Sequence, residues 1–289
     1  MATNNETSIT LLDAKRYNDA TAKTWFSFAV DGLEAMKGTY DKDARDDQQF
    51  LEVGCGPRRI TRYCLLPRCL PCRRIVAVDV SRDMVEYAQT HYAHPTISYD
   101  ILDIVTDDVV DFVKMYGRFD RVYSFNCFNW VENQEKAFKN LAELMEQGAE
   151  CLLWFFAASP HIRFRQNLIK MARWKKYAEI CRNYIPPTID MNGPDEILPY
   201  ILNLLKSANL TPSLCEVTRE SPIKYPSPKT ITQELMTMNP LTTLLTGAEK
   251  LKLLEDANKE AIKLWTMQET YETPIEFDVV RLCAFKPQQ

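Results

Sequence analysis

Hydrophobic positions fall into two rhythms along this chain. Short apolar runs at Phe50–Val53, Arg74–Asp79, Thr96–Asp100, Phe119–Phe125 and Ala149–Ala158 read as buried strands. Between them, Pro57–Leu66, Ser81–His91, Thr106–Tyr116 and Asn133–Gln147 carry apolar residues at helical spacing, with Pro57 and Ser81 as start signals and Gly148 as a stop. Such alternation demands a parallel sheet with right-handed crossovers. Leu11–Met36 has helical spacing ahead of the first strand, and Lys37–Gln49 is a polar connection. Asp195–Ala208 reads as a further helix, and Ser213–Tyr225 and Glu276–Lys286 as strands six and seven. Two stretches break the alternation: a basic, aromatic one at Ser159–Tyr184, and a helical pair in Pro228–Gln268 that parts near Thr246-Gly247. The pattern predicts a doubly wound α/β fold with a mostly parallel seven-stranded sheet, forming one domain over residues 1–289. N-terminal helices fill 1–48, and helical caps at 159–190 and 226–270 lie over the carboxyl ends of the strands, where a ligand crevice sits in this architecture.

The first strand closes on Glu52 and breaks on Gly54-Cys55-Gly56. Residues without a Cβ let the backbone swing through a tight turn and let a ligand lie against bare amides, with a helix N-terminus at Pro57 facing the same ligand. A Cβ at Gly54 would then enter the ligand's volume. Asp79 ends the second run, where an acid accepts hydrogen bonds from both ribose hydroxyls of a nucleoside. Asp103 is placed to meet an adenine amino group and Ile104 to lie against the ring. Glu52, Val80 and Ser124, at the same strand ends, complete the candidate cofactor-binding set. The fourth run leads into a loop carrying Asn126, Asn129 and Trp130.

Glu52-Val53-Gly54-Cys55-Gly56, Val78 to Met84, Leu102-Asp103-Ile104 and Phe119-Asp120 resemble, in order, the motifs of class I S-adenosylmethionine-dependent methyltransferases, which have a Rossmann-like sheet. More narrowly, Phe119 to Val131, Gln134 to Phe138 and Cys151 to Phe156 are similar to the arthropod juvenile hormone acid O-methyltransferases. The resemblance implies S-adenosyl-L-methionine as cofactor and a small amphipathic acid, such as juvenile hormone acid or a farnesoic acid-like molecule, as methyl acceptor. It thins after about residue 210. The insect enzymes carry His-Trp in the fourth-strand loop and an N-terminal Gln acting on the acceptor carboxylate. Here Asn129 precedes Trp130 and Thr24 stands at the Gln position, so Trp130, Asn129 and Thr24 are the candidate catalytic residues.

Composition narrows the partners. A formal net charge of −4 gives no basic field for phosphate backbones, so nucleic acid is not expected. The basic clusters, Arg163–Lys176 among them, read as solvated faces. Nine cysteines without repeating spacing read as thiols of a reducing compartment. Cys64, Cys69 and Cys72 lack the fourth ligand a structural zinc needs, so no metal is expected. No apolar run reaches the length of a membrane span and no leader is evident, so the expected location is cytoplasmic. Oligomeric state is left open.

A carboxylate acceptor is already ionised at neutral pH, so methyl transfer needs alignment and exclusion of water rather than a base. His91, His94 and His161, none of them in the fourth-strand loop, therefore read as structural. Two readings remain: an O-methyltransferase, or a protein of the same fold that binds the cofactor or a partner without turnover. A nicotinamide dehydrogenase is weaker, because Arg59 stands where the dinucleotide fingerprint has its last glycine; the methyltransferase turn departs from its usual pattern too, with Arg58 at its third glycine.

Overall fold

In the computed structural model, residues 12–21, 24–35, 44–57, 59–106, 109–221 and 223–288 are described. Strand β1 (Gln49–Val53) is buried along its whole length, as a strand covered on both faces must be. It pairs in parallel with β2 (Arg74–Asp79) on one side and β4 (Phe119–Phe125) on the other. β3 (Ile97–Ile101), β5 (Met145–Ala158), β6 (Thr211–Glu220) and β7 (Phe277–Phe285) complete the order β3-β2-β1-β4-β5-β7-β6, with β7 antiparallel to both neighbours. The chain reverses its direction of winding between β1 and β4, and the crevice of a doubly wound sheet opens at such a switch point.

Side chains alternate across the strands and build two cores. Phe50, Ile75, Ala77, Tyr123, Phe125, Trp154 and Phe156 face one way. Leu51, Val53, Val76, Val78, Val122, Leu153 and Phe155 face the other. The second face is covered by α5 (Val109–Tyr116), α6 (Gln134–Leu144) and α9 (Pro194–Ser207). The first carries α1 (Ala14–Thr21) and α2 (Thr24–Ala35), followed by α3 (Leu66–Cys69) and α4 (Arg82–Tyr92). Over its far end lie α7 (Pro160–Lys170) with α8 (Ala178–Arg182), and α10 (Pro228–Thr237), α11 (Leu241–Leu244) and α12 (Gly247–Thr270). Ser159 and Ser227 cap α7 and α10 through their side chains, and Thr246 with Glu249 forms a reciprocal capping box on α12. Asp256 ties the two caps together, accepting from Trp174 Nε1 at 2.8 Å and pairing with Arg173.

Several boundaries depart from the expected ones. Helical backbone after the glycine turn begins at Ile60 rather than Pro57, with a wide π-helical turn over Thr61–Leu65 running into α3. Helix α6 ends at Leu144, and Gly148 lies inside β5, where its positive φ of 77° accompanies a bulge opposite Phe119 and Arg121. β6 stops at Glu220, not at Tyr225, which instead buries its ring and donates its hydroxyl to Glu234 of α10 at 3.1 Å.

Candidate functional site

The turn after β1 is locked onto the end of β2. The amides of Gly54 and Cys55 both donate to the Val78 carbonyl, at 2.8 and 2.9 Å. The Gly56 amide donates to Asp79 Oδ2 at 2.9 Å, and the Ser81 amide to Asp79 Oδ1 at 3.0 Å. The amides expected to lie bare toward a ligand are therefore spent inside the protein, and their use fixes the Asp79 carboxylate at the crevice mouth. Gly54 is a close-approach position for a different reason from the one expected. A Cβ there, at φ +75°, would run into Cys127 Cβ and sit 2.5 Å from its Sγ, so the protein's own β4 loop fills that volume.

The other sequence-predicted residues divide. Val80 is 48 % exposed just beyond Asp79, an apolar surface open to a ring. Asp103 is half-buried; its Oδ1 accepts from the Val105 amide at 3.0 Å, and among the described residues nothing donates to its Oδ2. Ile104 does not lie open as expected but is buried in the core with Leu102, Val109 and Phe112. Ser124 is also turned inward, its hydroxyl donating to the Val53 carbonyl at 2.9 Å and tying β4 to β1. Glu52 is buried beneath the turn on the side of Cys64 and Cys69. Burial first, with the Glu52 charge as a lesser cause, pushes those thiols up to about 11 and about 12. Ser81 holds the N-cap position of α4 but makes no side-chain cap; its backbone amide donates to Asp79 instead.

Beyond the end of β4 the chain turns through Asn126 at φ +56°, a conformation asparagine tolerates better than most residues, and its amide donates to the Trp154 carbonyl at 2.8 Å. A short 3₁₀ turn, Phe128–Trp130, follows. Beside it lies a closed crevice of about 10 Å³, room for about one water, walled by Tyr17 of α1, Asn126, Asn129, Trp130, Arg165 of α7 and Met238 after α10. Asn129 and Trp130 are thus brought together at one wall. Thr24 opens α2, but its side chain lies outside the described residues, as does Arg58. The N-terminal side chain seen in the crevice is Tyr17.

Three groups here were given no site role from the sequence. Asn126 is 5 % exposed, and neither its Oδ1 nor its Nδ2 has a partner among the described residues. His161, set aside as structural, lines the crevice and has its Nε2 3.2 Å from Glu234 Oε2. Arg165, read within a solvated basic face, is 2 % exposed and stacks with its Cζ 4.0 Å from the Trp130 ring centroid. Helical spacing could have found it: Ile162, Arg165 and Leu168 recur at three residues on the buried stripe of α7.

Residues 51–153 match a family described as a methyltransferase domain. Two curated relatives are juvenile hormone acid O-methyltransferases. The one from Bombyx mori is 28% identical over 162 residues, covering 56% of this chain and 57% of that protein. The one from Drosophila melanogaster is 30% identical over 174 residues, covering 59% and 58%. The chain thus spans little more than half the length of these relatives. Among solved structures, Haemonchus contortus phosphoethanolamine N-methyltransferase 2 in complex with S-adenosyl-L-methionine superposes with a TM-score of 0.55 at 16% identity, covering 98% of this chain and 59% of that one. The fold is that of the class I methyltransferases, and the sequence resembles the insect juvenile hormone acid enzymes.

Proposed function

We propose that the protein transfers a methyl group from S-adenosylmethionine to the carboxylate of an amphipathic small-molecule acid. The observation that carries the reading is that the carboxyl ends of the central strands carry both a fixed Asp79 carboxylate, at the end of β2, and a small polar crevice, at the end of β4. The residues present fit the cofactor. A carboxylate can accept about four hydrogen bonds, so anchoring by two amides is compatible with taking ribose hydroxyls as well. Asp103 Oδ2 and the open face of Val80 suit the adenine amino group and ring. Ile104 and Ser124 support this site from within the core rather than by touching a ligand.

When bound, S-adenosylmethionine supplies an electrophilic methyl group on a sulfonium. The chain's part is to hold the acceptor in line and keep water away. An acid is ionised at neutral pH, so neither His161 nor Glu234 is needed as a base. Trp130 offers an indole N–H without a partner among the described residues, and its ring gives the acceptor an apolar wall. A closed crevice strips the carboxylate of solvent and lowers the dielectric, which favours a step that removes two opposite charges. An acid with a long apolar chain enters only when the walls contributed by α1 and α10 part, since the crevice has room for about one water.

The reading of Asp79 is tested by calorimetric titration of S-adenosylhomocysteine into wild type and Asp79→Ala. Loss of charge-assisted bonds, about 1.5–3 kcal/mol each, lowers affinity more than about tenfold. Equal affinity removes Asp79 from the cofactor site. The alternative, cofactor binding without turnover, keeps the titration and lacks product; its support is that Asn129 and Thr24 stand where the insect enzymes carry His and Gln.

A further inference from the structure

Arg165 is a buried cation to which the described residues supply no anion. Its Nη1 donates to the Met238 carbonyl at 3.2 Å and its Nη2 to the Asn129 carbonyl at 3.4 Å, both neutral acceptors. Among the described residues its Nε has no partner and no carboxylate pairs with it. The acid of the neighbouring cap helix, Glu234, accepts from the Tyr225 hydroxyl and has its Oε2 3.2 Å from His161 Nε2. A charge removed from water and left unpaired is costly, and proteins keep such groups where a ligand completes them. Burial brings the guanidinium down to about 10, so it is still charged at neutral pH. The crevice holds further unfilled polar atoms, namely both ends of the Asn126 amide and Asn129 Oδ1.

We infer that Arg165, oriented by its stack on Trp130 and assisted by Asn126 Nδ2, is the anchor that binds the carboxylate of the acceptor. The inference rests on the methyltransferase reading of this crevice and names the residue that selects acids over alcohols of the same shape. A guanidinium fork matches the two oxygens of a carboxylate, and the Trp130 face fixes the plane of the fork. Trp130 then gives orientation, and Arg165 gives charge. The anchor also fits Asn129 in place of histidine, because the charge for the acid comes from α7 rather than from the β4 loop.

The test measures the thermal shift and affinity of farnesoic acid, with farnesol as the uncharged control, in wild type, Arg165→Met and Arg165→Lys, each saturated with S-adenosylhomocysteine. Farnesoic acid should raise the wild-type melting temperature and farnesol should not. In Arg165→Met the acid affinity should fall at least about tenfold while S-adenosylhomocysteine binds as in wild type. The ligand-free variant should melt no lower than wild type, because an uncompensated buried charge has gone. Retained acid affinity in Arg165→Met, or an equal shift with farnesol, overturns the anchor. If Arg165→Met does not bind S-adenosylhomocysteine and so is misfolded, Arg165→Lys decides. Weakened acid binding there supports the fork, and unchanged binding overturns it. Failure of wild type to bind S-adenosylhomocysteine would instead sink the methyltransferase reading, so the two failures are distinguishable.

Discussion

The substitution Gly54→Ala tests the geometry of the turn that fixes Asp79. At φ +75° an alanine bears the left-handed penalty of about 1–2 kcal/mol. Its Cβ would also meet Cys127 with Sγ at 2.5 Å, far inside ordinary contact, and forcing the β4 loop outward adds about 1–3 kcal/mol. The sum is about 2–5 kcal/mol. An unfolding entropy of about 2.1 cal/mol/K per residue over 289 residues converts this to a fall in Tm of about 3–8 °C. Cys127→Gly removes both clashing atoms, so Gly54→Ala made on that background should cost only the backbone part. The resulting coupling, about 1–3 kcal/mol, is read from scanning calorimetry of the four proteins in a double-mutant cycle. A Tm for Gly54→Ala within a degree of wild type would refute the clash, and so would an equal loss on both backgrounds.

Trp130→Phe keeps most of the apolar wall and deletes the indole donor. Its specificity constant on an acid substrate should fall about ten- to a hundredfold, while S-adenosylhomocysteine titrates as in wild type; full activity removes the donor from the mechanism. Glu249 closes the capping box of α12, and its carboxyl is lowered from the ordinary 4.5 to about 2 by hydrogen bonds from Lys176 and Thr246. A depressed carboxyl stabilises the fold above its unfolded value and loses that contribution as pH falls through its folded one. Glu249→Gln should therefore lower Tm at pH 7, with the difference shrinking below about pH 4.5; a pH-independent difference contradicts the assignment.

Much of the fold could be read from the chain because the signals are local. Apolar runs ending on Asp79 and on the Gly54 turn mark strand ends without reference to anything distant. The position of β7 between β5 and β6 could not be read from the chain, since an antiparallel partner leaves no mark on its own sequence. The placement of Asp79 and Trp130 at the ends of β2 and β4 was legible because it depends on chain order. The candidate site was misread where tertiary contacts decide. Ile104 and Ser124 sit beside the right turns but point inward, and the amides of Gly54 and Gly56 are taken up by the Val78 carbonyl and the Asp79 carboxylate. Arg165 was hidden by charge: a cationic residue in a run of lysines and arginines looks solvated until the helix face carrying Ile162 and Leu168 is buried against the sheet.

Methyl transfer to a carboxylate is decided by incubating the purified protein with methyl-labelled S-adenosylmethionine. Farnesoic acid, juvenile hormone acids and straight-chain fatty acids serve as acceptors and farnesol as the control, with products separated by chromatography. Label should appear in a methyl ester of at least one acid and not in farnesol; S-adenosylhomocysteine binding with no labelled ester from any acid would rule out methyl transfer to these carboxylates.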